Sequence, residues 1–101
     1  LRGWFDTRGV DALAAWAAAE MARSLPLGLV SSASAEDLAD RLGRWETRLA
    51  RHLEEQPLPG GLNAFKKARL GAQLQLALTR AGYARPLARR CALALLHRMA
   101  R

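Results

Sequence analysis

Apolar positions recur at helical spacing in four stretches of the chain, each bounded by a capping or breaking residue. Val10, Leu13, Trp16, Ala17 and Met21 fall on one side of a helix over residues 7–24, which Asp6 or Thr7 can cap and Pro26 stops, by turning Leu25 away from helical backbone. Leu38, Leu42, Trp45, Leu49 and Leu53 follow at intervals of 4, 3, 4 and 4 and form a narrow seam on a second helix, 35–55. Ser34 is its N-cap, with Asp37 in the position of a capping-box acid, and Asp37/Arg41 and Asp40/Arg44 are paired at i, i+4. Such a helix lies on the outside of a fold and touches it along one stripe. The segment Gln56-Pro57-Leu58-Pro59-Gly60-Gly61 cannot continue it.

A third helix, 64–81, opens at Asn63 and closes at Gly82. Leu70, Leu74, Ala77, Leu78 and Ala81 share one of its faces, and Phe65, Ala68, Ala72 and Leu76 share another. Two apolar faces predict a central helix covered from both sides, with Lys66, Arg69, Gln73 and Arg80 as its polar stripe. The last helix, 86–101, takes Pro86 in its first turn and turns Ala88, Cys91, Ala92, Leu95, Leu96 and Met99 inward. Between the first two helices, residues 25–33 are apolar for a connection, so Leu27, Leu29 and Val30 are expected to cover an open edge of the core. Trp16 and Trp45 belong to the core by their register, whereas Trp4 and Phe5 precede the first helix and pack onto the bundle or onto a partner.

Composition supports the helical reading. Ala (21 residues) and Leu (19) dominate the apolar half of the chain, Val and Thr together supply five β-branched residues, and Ile is absent, which leaves little material for strands. At 101 residues the chain has the size of one domain that can bury an adequate core without staples. The expected fold is therefore all-α: a compact bundle of four helices with antiparallel neighbours and a basic C-terminal helical hairpin.

Charge changes the picture most. Residues 1–56 carry seven arginines against nine acids, a net −2, whereas residues 57–101 carry nine basic residues and no acid, a net +9. Phosphate backbones reward such an arrangement because each neutralised phosphate releases counterions, and arginine adds bidentate geometry. The hairpin also has the outline of a helix-turn-helix unit: with Gly82 as turn glycine, Ala77, Ala81, Tyr83, Ala88 and Cys91 occupy the packing positions of that motif, although Leu78 stands where it prefers alanine. The sequence thus predicts a non-enzymatic, nucleic-acid-binding helical module in which Lys66, Arg69, Arg80, Arg85, Arg89, Arg90, Arg98 and Arg101 contact phosphates, and Arg85, Arg89 or Arg90 reach base edges. Two readings compete with it. The acidic helix 35–55 can fold against the hairpin and neutralise its arginines internally, or the chain can be a protein-interaction or assembly subunit that docks another chain through the Leu38 to Leu53 seam or the Leu27 to Val30 loop, with no nucleic-acid role.

Other chemistries find little support. His52, His97 and Cys91 lack the paired spacing of a metal site, and both histidines read as surface residues. Cys91 lies within the apolar arc of its helix and reads as a small core residue rather than a nucleophile. No lysine followed by serine or threonine follows Gly60-Gly61 in P-loop spacing, so no nucleotide cofactor is expected. A single cysteine asks for no oxidising compartment, and the longest uncharged stretch, residues 24–35, is too short to span a bilayer; the expected location is the cytoplasm or an organelle matrix.

Overall fold

Two of the long helices begin at the caps their sequences supply. In the computed structural model, which describes residues 8–58 and 63–99, the helices are α1 (Arg8–Ser24), α2 (Leu27–Val30), α3 (Ala35–Glu55), α4 (Ala64–Arg80) and α5 (Arg85–Met99). Ser34 Oγ accepts from the Asp37 amide at 3.1 Å to open α3, and Asn63 Oδ1 accepts from the Lys66 amide at 2.8 Å to open α4. Gly82, at φ +109°, ends α4 in a Schellman motif: its amide reaches the Thr79 carbonyl and the Tyr83 amide reaches that of Leu78, each at 3.0 Å. The expected caps Asp6 and Thr7, the staple residues Trp4 and Phe5, the Pro59-Gly60-Gly61 break and Arg101 lie outside the described residues.

The expected Asp37/Arg41 pair forms at 3.1 Å, and Arg41 Nη1 also donates to the Ser24 carbonyl at the end of α1. The α3 seam is buried at Leu42, Trp45 and Leu49, with Leu38 and Leu53 packed at its margins. Trp45 is fully enclosed, and its indole N–H donates to the Ala17 carbonyl at 2.9 Å. This bond and that of Arg41 to Ser24 fix α3 antiparallel to α1.

The four long helices close a ring in which α1 contacts α4 and α3, and α5 contacts α4 and α3. The neighbours are not all antiparallel. Near the starts of α1 and α4, Arg69 Nε and Nη2 bind Asp11 Oδ1 and Oδ2 at 3.0 and 3.1 Å; near their ends, the Tyr83 hydroxyl donates to the Leu25 carbonyl at 2.6 Å. With ties at both ends, α1 and α4 run parallel, and so do α3 and α5, which Arg98 and Glu46 link at 3.7 Å. Helices α3 and α4 therefore sit across the core diagonal.

The expectation of a central helix covered on two faces also gives way. In α4, Leu70, Leu74 and Leu78 are buried and serve both α1 and α5, because Gly71 beside them lets α5 come close: a Cβ there would stand 3.0 Å from Leu96 Cδ1. The second apolar face, Phe65, Ala68, Ala72 and Leu76, is exposed, with Phe65 and Leu76 each at 42 %. The connection after α1 differs too. Leu25 plugs the core; residues 27–30 wind into the single turn α2, in which Val30 packs against the core as expected, whereas Leu27 and Leu29 are exposed, Leu27 lying over the Gly82 turn.

Three glycines separate helix propensity from space. Gly43, inside α3, has nothing within 4 Å of where a side-chain methyl would stand, so Gly43→Ala should stabilise the fold by about 0.5–1 kcal/mol in urea denaturation. Gly71→Ala gains the same propensity but must displace Leu96 and should gain less. Gly82→Ala should destabilise by about 1–2 kcal/mol, since its backbone is left-handed and its Cβ would meet Leu27 Cδ1 at 2.9 Å. Tyr83→Phe should cost about 1–3 kcal/mol in the same experiment, because it leaves the buried Leu25 carbonyl without its donor.

Candidate functional site

Seven of the eight expected contact residues are described, and they separate into three groups. Lys66, expected on the polar stripe, is 1 % exposed; it lies one turn before the buried Leu70 on α4 and has an interaction within the molecule. It is not placed to meet a phosphate. Arg69 and Arg98 reach the surface but are engaged by Asp11 and Glu46. The carboxylate of Asp11, by hydrogen bonding first and by charge second, raises the pKa of Arg69 further. Arg80, Arg85, Arg89 and Arg90 form the third group: all are exposed, and none makes an ion pair among the described residues.

The other two ion-paired acids turn away from the hairpin. Glu20, mostly buried, takes Arg23 at 3.1 Å and Arg48 at 3.6 Å, while Asp37 takes Arg41. Internal neutralisation of the hairpin thus reaches two of its arginines and stops short of the four that surround the α4–α5 turn.

The hairpin packs differently from a helix-turn-helix unit. Gly71 and Leu96 are still in contact although each lies about 15 Å along its helix from the turn. Helices diverging at 90–120° would be more than about 20 Å apart at that distance. The pair is an antiparallel hairpin, and α5 lies along the bundle rather than projecting from it. Of the motif's packing positions, Tyr83, Ala88 and Cys91 are buried, whereas Ala77 is half-buried and Ala81 exposed.

Between α4 and α5 on the outer side runs a shallow groove made of two adjoining hollows. One, of about 480 Å³, is lined by Gln75, Arg85, Pro86, Arg89, Arg90 and Leu93; the other, of about 380 Å³, by Ala72, Gln75, Leu76, Thr79 and Arg85. Leu93 is 57 % exposed, the most exposed of the large apolar residues described. Its periodicity already sets it apart, since it falls outside the arc of Ala88, Cys91, Ala92, Leu95 and Leu96. Leu76 is visible in the sequence as part of a second apolar face; what the pattern cannot tell is whether that face is covered.

A second cleft, of about 430 Å³, is lined by Gly9, Ala12, Leu13, Trp16, His52, Gln56, Pro57 and Leu58. There His52, expected in solvent, stacks on Trp16 with ring centroids 3.8 Å apart and planes 13° from parallel. No group of three or more His, Cys, Asp or Glu residues gathers as a metal site among the described residues. No helix among them is long and apolar enough to cross a membrane. Comparison of the chain with protein-family models, curated proteins and solved structures finds no match.

Cys91 is buried, and its thiol is pushed up to about 11, chiefly by desolvation, partly offset by Arg90. Ellman's reagent at pH 8 should therefore react with it only as fast as the protein unfolds. In the unfolded chain the thiol ionises near pH 9, so the folded state must hold a proton that the unfolded state releases. The urea midpoint should stay flat from pH 7 to about 8.5 and fall as pH rises from about 9 to 11; a Cys91→Ala variant should lose part of that slope.

Proposed function

We propose that this chain is a non-enzymatic binding module whose working face is the outer groove of α4 and α5, and that the groove docks another protein chain. The observation that carries this reading is the coincidence, on one surface, of exposed Leu76 and Leu93 with Arg85, Arg89 and Arg90, which have no ion-pair partner among the described residues. A partner that only supplies phosphates would leave the leucines wet, whereas a protein surface can cover them and satisfy the arginines together. The Leu38 to Leu53 seam, the docking stripe suggested by the sequence, is occupied by the protein's own core.

Nucleic acid is the second reading, favoured by one specific observation: Arg80, Arg85, Arg89 and Arg90 stand at one pole of the bundle with no acid paired to them among the described residues. Against it, Lys66 is enclosed, Arg69 and Arg98 are paired, and Tyr83, the aromatic residue nearest the arginines in sequence, is buried and so offers no stacking surface.

Photo-cross-linking separates the two. A photoreactive amino acid at position 93 should give protein adducts in cells of the source organism, and one at position 44, on exposed α3, should not. Nucleic-acid adducts at position 93, together with duplex DNA affinity that falls steeply between about 50 and 200 mM salt and ignores Leu93→Gln, would overturn the docking reading in favour of the second.

A further inference from the structure

The dimensions and chemistry of the groove narrow its occupant. Ala72 to Thr79 on α4 and Pro86 to Leu93 on α5 each span seven residue steps, about 10 Å, which is two turns of a helix laid alongside them. The lining of the groove is mixed: Ala72, Leu76, Pro86 and Leu93 are apolar, while half-buried Gln75, shared by both hollows, and Thr79 are polar. The rim on the α5 side is Arg85, Arg89 and Arg90, with Arg80 nearby at the end of α4. No acidic residue occurs anywhere in residues 57–101 to compete for these guanidinium groups. An extended strand would need an open sheet edge for its backbone, and no strand occurs among the described residues. A helix brings its own backbone satisfied and needs only a furrow for its side chains.

We infer that the α4–α5 groove receives an acidic amphipathic helix from a partner protein, its apolar side chains seated on Leu76 and Leu93 and its carboxylates on Arg85, Arg89 and Arg90. The inference rests on the docking reading above and adds the chemistry of the occupant. Charge complementarity selects an acidic partner, and the leucines select one whose acids lie to one side. Apolar residues at i, i+3 or i+4, and i+7 reach both hollows from a single face. Carboxylate and guanidinium pair in bidentate fashion at the rim, where they also fix the direction of the helix.

The test uses the intact chain and two synthetic helical peptides of identical Leu, Glu and Ala content, one with leucines at that spacing and one scrambled. Fluorescence anisotropy should show the amphipathic peptide bound at least about tenfold more tightly than the scrambled one. Amide NMR shifts should be confined largely to residues 72–79 and 85–93. Leu76→Gln and Leu93→Gln, both on the surface, should each weaken binding about fivefold or more with the circular dichroism unchanged, and Arg89→Gln with Arg90→Gln should weaken it and flatten its salt dependence.

Equal affinity for both peptides, indifference to the two leucine changes, or no binding at millimolar peptide would overturn the inference. So would tighter binding of duplex DNA, or of vesicles rich in phosphatidylglycerol, through the same residues. Protein adducts at position 93 combined with indifference to the peptides would reject the acidic helix and keep the docking reading; nucleic-acid adducts would reject both.

Discussion

The parallel alignment of α1 with α4 decides which surfaces this protein covers and which it leaves open. It is held at two points far apart in sequence: the Asp11 carboxylate grips the Arg69 guanidinium near the starts of the helices, and the Tyr83 hydroxyl meets the Leu25 carbonyl near their ends. Of the two, the buried tyrosine bond carries more weight, because an exposed ion pair is screened by water and salt while an enclosed carbonyl has nowhere else to find a donor. With α4 so aligned, Leu70, Leu74 and Leu78 face inward, α5 closes against Gly71, and the row from Phe65 to Leu76 faces out. The exposed row therefore follows from the packing that buries the other face.

The same arrangement distributes the charge. The described acids that form ion pairs lie on α1 and α3, and two of the four turn toward arginines of those two helices, Glu20 toward Arg23 and Arg48 and Asp37 toward Arg41. Only Asp11 and Glu46, among the described acids, reach across to the hairpin, at its Asn63 end and along its outer edge. The four arginines around the turn lie beyond their reach. Electrostatic surplus and apolar exposure thus arise at one place for separate reasons, and their overlap makes the groove a candidate for recognition, where either feature alone would be an ordinary piece of surface.

Helix positions are legible from the chain because they depend on local chemistry. Ser34, Asn63 and Gly82 mark ends that the structure keeps within a residue or so, and the Leu42, Trp45, Leu49 register identifies the buried seam of α3. The spacing of apolar residues along one helix says which sides are greasy and nothing about how many neighbours arrive. That is why the second face of α4 reads as buried and Lys66 as exposed. Helix direction is equally out of reach, since it is set by contacts such as Tyr83 with Leu25, 58 residues apart. The stacking of His52 on Trp16 has no sequence signature for the same reason. The arginine-rich half can be counted from the chain, but which of its members are free depends on where two particular carboxylates fall.

The up-down-up-down course of the four long helices also places the ends of the described chain. Residue 8 opens α1 and residue 99 closes α5 at the same pole, the one where α3 finishes and α4 begins. The turn bearing Arg80 and Arg85 occupies the opposite pole. A tether or label leaving the described chain at residue 8 or residue 99 would start at the pole opposite that turn.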